Sequence, residues 1–235
     1  MKKKDIGFVL HRISYSETSS IIKCFTQEHG LKSFMIQGGK KKYSSVLQAM
    51  MPIEFTFYQR NEELAKLYEP SVFVNLNEIQ FHPIKSSYLF FEAEILLQCF
   101  KDDQIDKEIF RFVLEELMWL NAQENYANYL LFCMIELCDY LGIKPNVLDE
   151  KAIDFDLVNG EISSEIIRTS NCISHPEIAN FVKVLISEKD TILQLELSKE
   201  SRKFILNLLF DYFKIHISGF KIPQSLEVYQ TIWYD

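Results

Sequence analysis

The pattern of hydrophobic residues changes its period near residue 80. Before that point, apolar residues recur in short runs that are rich in β-branched and aromatic residues and are separated by turn residues, which is typical of β-strands. Between the third and fourth runs, Val46, Leu47 and Met50 have instead the spacing of one or two helical turns. The runs predict five strands, at 6–13, 20–26, 31–37, 53–58 and 64–74.

Five strands with a short helix between the third and fourth are typical of an OB fold, a small barrel that commonly binds nucleic acids. An SH3-like barrel, which lacks that helix, is the main alternative. Gly30 ends the turn segment 27–30. It is expected to take the left-handed conformation in a hairpin turn there, because a residue without a Cβ enters that conformation without steric cost.

From Pro83 onward, the apolar residues recur with the 3.6-residue period of α-helices. The segment 83–100 is apolar on nearly every side, which predicts a helix buried at the centre of its domain. A second helix carries an apolar stripe over 105–120. Asn121 and Glu124 have the spacing of N-cap and N3 residues, and they are expected to open a third helix.

Further helix signals follow along the chain. Gly142 and Pro145 are expected to end the third helix. The segment 174–177 reads Ser-His-Pro-Glu, which predicts a capping box for a helix that continues to about residue 186. Ser198 is expected to begin a long final helix that reaches Ile215.

Asn159 and Gly160 lie between two short runs of alternating hydrophobicity, which predicts a small β-hairpin with a primed turn. Asp154 and Asp156 would share one face of this hairpin, with Glu161 across the turn. These carboxylates fit two interpretations. One is a site for a hard cation, and the other is an ordinary solvated strand face.

The composition agrees with a folded α+β protein. The chain has 235 residues, of which 48% are hydrophobic and 25% charged, and only 7 are Gly and 6 are Pro. This disfavours disordered, collagen-like and turn-dense all-β classes. We expect an OB-fold β-barrel in residues 1–80 and an α-helical domain with a small β-hairpin in residues 81–235.

Two features of the sequence predict a cytoplasmic location. The sequence contains no apolar run of the ~18 to 20 residues that cross a bilayer, so no membrane span is expected. The apolar stretch that follows the N-terminal lysines is too short for a signal peptide. The five cysteines include no C-x-x-C pair, and a disulfide framework is not expected.

Charge is divided unequally along the chain. Residues 1–66 contain 11 Lys and Arg against 6 Asp and Glu, a net charge of +5. Residues 67–235 contain 14 against 27, a net charge of −13. A basic segment of this kind favours contact with a polyanion, while the acidic remainder keeps the protein in solution.

The basic segment contains the run Gly38-Gly39-Lys40-Lys41-Lys42-Tyr43 at the end of the third strand. It lacks the spacing of a P-loop. Its glycines still allow the backbone to approach a ligand, its lysines supply charge for phosphates, and Tyr43 offers a face for a base. The ordinary alternative is a solvated loop. The predicted DNA-binding residues are Lys40, Lys41, Lys42, Arg12, Lys23 and Tyr43, with Arg12 and Lys23 facing one groove if the strands alternate normally.

No catalytic site, metal site or cofactor is predicted. The five histidines are scattered, with no H-E-x-x-H pattern, and the sequence contains no G-x-S-x-G, Rossmann or S-x-x-K motif. Two classes of function therefore stand. One is a protein that binds DNA, and the other is a protein-interaction adaptor with an OB-like or SH3-like barrel that binds no nucleic acid.

The N-terminal segment resembles the RecO family of bacterial recombination mediators. The motifs that carry the resemblance are Gly7-Phe8-Val9-Leu10-His11-Arg12, Glu17-Thr18-Ser19-Ser20, Phe25-Thr26 with His29-Gly30, and Gly38-Gly39-Lys40-Lys41-Lys42. Their order over some 40 residues is more specific than any one of them. Leu141-Gly142 with Pro145 resembles the boundary after the family's central helices, and Ser218-Gly219-Phe220 followed by Pro223-Gln224-Ser225-Leu226-Glu227 resembles its C-terminal tail.

The resemblance implies an N-terminal OB fold, a helical C-terminal domain and a role without catalysis. That role is to bind single- and double-stranded DNA at the nucleoid and to anneal complementary strands. The family also works with RecR to load RecA onto DNA coated by single-strand binding protein, whose acidic C-terminal tail it recognises. Many members carry a four-cysteine zinc ribbon, but residues 144–170 contain no cysteine here, so no metal is carried over.

Such a tail needs a cation for its carboxylate and an apolar pocket for its last side chain. The predicted partner-binding residues are Arg111 and Lys107 on one helix, and Arg202 and Lys203 ahead of the apolar run that begins at Phe204. Arginine is preferred because its planar guanidinium can hold a carboxylate with two hydrogen bonds. Pairing of these cations with acidic neighbours at helical spacing is the alternative.

Overall fold

The computed structural model describes residues 2–38, 42–60, 63–165 and 170–226. The described residues belong to two compact units. The first unit takes in Met1–Ala122 and Pro223–Asp235, and the second takes in Gln123–Ile222. The domains predicted from the sequence, 1–80 and 81–235, stay a prediction, because a compact unit and a domain need not coincide.

The first unit begins with a closed five-stranded barrel. Its strand order is β1-β2-β3-β5-β4, with β4 also paired to β1. Only the β3–β5 pair in this barrel is parallel. This topology confirms the predicted barrel and the α+β fold class. The strands are β1 (Lys3–Ser14), β2 (Ser19–Thr26), β3 (Gly30–Gln37), β4 (Pro52–Tyr58) and β5 (Ala65–Val72).

Alternate residues of these strands fill the inside of the barrel. Phe34, Phe55 and Phe57 are buried there, and their ring centroids lie 5.1 to 6.2 Å apart. The helix expected over 43–50 is wrong, because the structure has hydrogen-bonded turns there, including one α-type bond from the Leu47 N–H to the Tyr43 carbonyl at 2.9 Å. The turns serve the same end, since Leu47 packs on the barrel core.

Three helices complete the first unit: α1 (Asn77–Phe81), α2 (Pro83–Cys99) and α3 (Lys107–Ala122). They pack on the outside of the barrel through aromatic rings. Phe25 of β2 stacks on Phe100 at 5.0 Å, and Phe8 of β1 contacts Phe110 of α3 at 4.8 Å. The buried helix predicted over 83–100 is confirmed.

The second unit combines helices with a small sheet of order β6-β8-β7-β9. Gly142 has a φ of 69° after the first of its helices, and Ser198 caps the last one by accepting a hydrogen bond from the Ser201 N–H, as predicted. The elements are α4 (Tyr129–Tyr140), β6 (Asn146–Val147), β7 (Asp154–Asp156), β8 (Glu161–Ile162), β9 (Cys172–Ser174), α5 (Ile178–Ile186), α6 (Lys189–Gln194) and α7 (Lys199–His216).

Two predicted helix caps are wrong. Asn121 does not open a helix but lies in the last turn of α3, where its Oδ1 accepts a hydrogen bond from the Ile79 N–H at 3.1 Å. Ser174 belongs to β9 and pairs with Asp154, so the capping box is not formed and α5 begins at Ile178. In both cases a partner that is distant in sequence holds the proposed cap.

The hairpin in the second unit is present, but its turn is not the predicted primed one. Residues 157–160 form a four-residue connection in which the Asp156 carboxylate accepts hydrogen bonds from the Val158 and Asn159 N–H groups. Asn159 therefore keeps a negative φ. Asp154 is buried, so the expectation of a wholly solvated carboxylate face is also wrong.

Candidate nucleic-acid interface

The register of the barrel strands defines a continuous surface on its outside. Ile22, Cys24, Phe34 and Ile36 lie in the core. Since successive side chains alternate between the two faces of a strand, the residues between these core positions point outward. We call this surface the β2–β3 outer face and define it by Ile21, Lys23, Ser33 and Met35.

Neighbouring strands extend this face sideways, because paired residues lie on the same side of a sheet. In one row, Lys66 of β5 is paired with Met35, Met35 with Ile21, and Ile21 with Ile13 of β1. In the next row, Ser33 is paired with Lys23, and Lys23 with His11. The face therefore spans four strands, with Lys66 in one row and Lys23 in the next.

A cleft of about 430 Å³ opens beside Met35. Two tyrosines stand on its walls, Tyr43 from the turn after β3 and Tyr68 from β5, the latter 37% exposed. Aromatic rings of this kind provide the flat apolar faces on which unpaired bases stack. The lining residues are Met35, Ile36, Gln37, Tyr43, Lys66, Leu67, Tyr68 and Glu69.

Lysine ammonium groups accompany both tyrosines. The Nζ atom of Lys42 lies 4.9 Å from the centre of the Tyr43 ring, and that of Lys2 lies 4.7 Å from the centre of the Tyr68 ring. A hydrogen bond to Tyr43 raises the pKa of Lys42, so Lys42 is fully charged at neutral pH. The cleft thus combines stacking surfaces with charges for phosphates, which are the two components of a single-strand binding groove.

The structure places the predicted DNA-binding residues unequally. Lys40 and Lys41 lie outside the described residues. Lys42 and Tyr43 are at the cleft. Lys23 lies on the β2–β3 outer face, where its Nζ forms an ion pair with Asp102 at 2.8 Å.

Arg12 does not share a groove with Lys23, which corrects the sequence-based expectation. The pairing of β1 with β2 shifts between Val9 and His11, so Leu10 is an extra residue in β1. This β-bulge places Arg12 opposite Ile22, on the other side of the sheet from Lys23. Without the bulge, Arg12 would lie opposite Ile21 and the expectation would hold.

Lys2, Lys66 and Tyr68 were not among the predicted site residues. Ala65 and Leu67 lie in the barrel core, so the alternation along β5 places Lys66 and Tyr68 together on its outward side. That alternation was available in the sequence. The parallel pairing of β5 with β3, which brings this part of β5 to Tyr43, has no local signal there.

The predicted partner-binding residues fall into two places. Lys107 and Arg111 lie on α3 at a groove of about 330 Å³, beside the apolar side chains of Phe110 and Leu114. Lys107 is held by Glu28 through two short contacts, at 2.6 and 2.8 Å, whereas Arg111 is 71% exposed and reaches Glu115 only at 3.9 Å. Arg111 is therefore the more available cation of this groove.

Arg202 and Lys203 belong to the second unit. The Arg202 guanidinium donates a hydrogen bond to the Leu197 carbonyl at 2.6 Å, so it fixes the chain ahead of α7. Lys203 is exposed on the same helix. The structural task of Arg202 makes it a poorer candidate than Arg111 for binding a mobile ligand.

Two other kinds of feature are absent from the described part of the chain. Within it, no three His, Cys, Asp or Glu side chains are grouped so that they could hold a metal ion. Among the same residues, no helix has the length and apolar character needed to cross a membrane.

A closed barrel with an aromatic and basic cleft on its outer side, followed by helices and a small sheet, defines an α+β protein of the OB-barrel class. Comparison with family models narrows the class. The model for the Recombination protein O N terminal matches residues 1–73, and the model for the Recombination protein O C terminal matches residues 80–225. The chain therefore belongs to the RecO family of DNA repair and recombination proteins.

Individual relatives agree with the family models over the full length. The DNA repair protein RecO of Bacteroides fragilis is 27% identical, with 99% of this chain and 100% of the relative covered. That of Flavobacterium psychrophilum is also 27% identical with the same coverage. That of Streptococcus thermophilus is 26% identical over 62% of this chain and 57% of the relative.

Proposed function

We propose that this chain is a non-enzymatic recombination mediator of the bacterial cytoplasm. It binds single- and double-stranded DNA, anneals complementary strands and, together with RecR, helps to load RecA onto DNA coated by single-strand binding protein. The observation that carries the proposal is the cleft where Lys42 and Lys2 accompany the rings of Tyr43 and Tyr68. Family membership supports the wider role.

In this proposal, a single strand lies across the β2–β3 outer face with two of its bases on Tyr43 and Tyr68. Its phosphates contact Lys42 and Lys66 beside the cleft and Lys23 further along the face. Lys40 and Lys41 extend the same charged run in the sequence. A contact from Arg12 would need the DNA to pass round to the other side of β1, and it stays a separate prediction.

A single-strand binding titration at several salt concentrations tests this proposal. Replacing Lys40, Lys41 and Lys42 together by Glu should weaken binding to all sequences alike, because phosphate contacts carry no sequence information. The slope of log affinity against log salt should also fall in magnitude by about 0.7 for each phosphate that is no longer bound. Lys151→Glu changes an exposed lysine of the second unit and is the matched control for charge.

The same titration separates the proposal from the adaptor alternative. Surface lysines without a nucleic-acid ligand release no counterions, so an adaptor would show no steep decrease of affinity with salt. A triple variant that is folded and keeps both the affinity and the slope of the unchanged protein would contradict the proposed DNA site.

For the C-terminal tail of single-strand binding protein, we propose the groove on α3. Arg111 would receive the terminal carboxylate, and Phe110 and Leu114 would contact the last hydrophobic side chain. An acidic peptide with a hydrophobic last residue and a free carboxylate should bind the intact protein, and Arg111→Ala should weaken it about tenfold. Arg202→Ala is the comparison variant.

The outcomes of the peptide experiment differ clearly. Weaker binding with Arg111→Ala alone supports the α3 groove. Equally weaker binding with Arg202→Ala alone would move the site to the second unit, and unchanged binding in the double variant would place the site on other residues. A peptide with an amidated C-terminus should bind as weakly as the unchanged peptide binds to Arg111→Ala, because both remove the same charge pair.

A further inference from the structure

The segment between α2 and α3 lies against β3 at one end of the β2–β3 outer face. Asp102 forms a parallel β-bridge with Leu31, and the Asp103 N–H donates a hydrogen bond to the Leu31 carbonyl at 2.9 Å. Gly30 allows this close approach, since a Cβ at its position would lie 2.2 Å from the carbonyl oxygen of Gln104. Backbone contacts therefore hold Asp102 and Asp103 in place.

Both carboxylates meet lysines of the barrel. Asp102 pairs with Lys23 at 2.8 Å, and Asp103 pairs with Lys32 at 3.3 Å. The two lysines differ in position. Lys23 points to the β2–β3 outer face, while Lys32 is paired with Cys24 in the register and belongs to the core side of the sheet.

The Lys23–Asp102 pair is open to water, with 31% of the lysine and 68% of the aspartate side chain exposed. An exposed pair of this kind is weak enough to be exchanged for another anion. The geometry is that of an ammonium already bound to an anionic oxygen on the surface where we place DNA.

We propose that Asp102 is an internal substitute for a DNA phosphate, which occupies Lys23 while DNA is absent and is displaced when a single strand crosses the outer face. The segment thereby restrains DNA affinity. This inference rests on the proposed function, because it concerns the same face. It adds a competing anion, supplied by the acidic part of the chain, to the barrel's own cations.

Asp102→Asn and Asp103→Asn form a matched pair for the test. Each removes one negative charge, from adjacent residues, and each breaks one ion pair. Binding of a fluorescein-labelled oligothymidylate to the intact protein is measured by anisotropy at several salt concentrations. Asp102→Asn should bind about two- to fivefold tighter than Asp103→Asn, the range set by a weak exposed ion pair. Its salt slope should be steeper by about 0.7, the value for one further phosphate contact.

Lys23→Gln completes a double-mutant cycle. If Asp102 acts through Lys23, the gain from Asp102→Asn should disappear when Lys23→Gln is also present. Equal binding by Asp102→Asn and Asp103→Asn would overturn this inference while leaving the proposed function in place, and so would a gain that survives Lys23→Gln. Absence of salt-dependent DNA binding in every variant, including the unchanged protein, would overturn both.

Discussion

Gly30→Ala is expected to destabilise the protein by about 3 kcal/mol, for two reasons that the structure separates. Gly30 has a φ of 63°, and an L-residue in that region costs about 1 kcal/mol. The new Cβ would also meet the backbone of Gln104 at 2.2 Å. The segment must therefore move away, which breaks the Asp103–Leu31 hydrogen bond, worth about 1 kcal/mol, and adds about 1 kcal/mol or more of strain.

Gly142→Ala is the control that isolates the first reason. Gly142 has a similar φ of 69°, but a Cβ there would have no neighbour within 4 Å. It should cost only the conformational term, about 1 kcal/mol. Free energies of unfolding from urea titrations, followed by circular dichroism, give the comparison. Equal destabilisation by the two variants would refute the claim that Gly30 is needed for the approach of Gln104, and would leave only its turn conformation as the reason for a glycine.

Three other predictions concern separate parts of the molecule. Tyr68→Ala should weaken single-strand binding by about 1 to 3 kcal/mol while Tyr68→Phe, which keeps the stacking ring, should bind nearly as well as the unchanged protein in an anisotropy titration. Ser198→Ala should cost about 1 kcal/mol in urea unfolding, because the Ser198 hydroxyl accepts the Ser201 N–H at 3.0 Å, and Ser198→Asp should preserve most of the cap. Burial raises the pKa of the Cys99 thiol to about 12, so alkylation of Cys99 at pH 8 should be much slower than in the urea-unfolded chain when followed by mass spectrometry.

The sequence predicts the barrel strands well because their signal is local. Alternating apolar residues, a turn glycine and β-branched residues act within a few positions of each other. β2 and β3 differ from their predicted bounds by one residue at the start, at Ser19 and Gly30. Even the predicted ending of α4 at Gly142 depends only on neighbouring backbone.

Features that depend on distant partners were predicted less well. The side chain of Asn121 satisfies the Ile79 N–H, which is 42 positions away in the sequence, in place of a cap on its own helix. Ser174 enters a sheet with Asp154. In both cases the local pattern was compatible with a cap, but a tertiary partner offered the same hydrogen bond together with buried packing.

The candidate site shows the same division. Lys42 and Tyr43 were identified from one short basic run, whereas Tyr68 reaches the cleft only through the parallel pairing of β3 with β5. The side on which Arg12 lies depends on a single extra residue, Leu10, because one inserted position reverses the alternation for the rest of the strand. Neither feature can be read from residue types.

The basic character of residues 1–66 must also be interpreted through the fold. Its net charge of +5 treats every lysine as a contributor to a binding surface. In the structure, Lys23 and Lys32 are matched by Asp102 and Asp103, which come from the acidic remainder of the chain. The field at the β2–β3 outer face is therefore weaker near Lys23 than the count suggests and strongest toward the cleft. A strand of DNA would then be drawn first to Lys42 and the tyrosines and would meet Lys23 only by competing with Asp102.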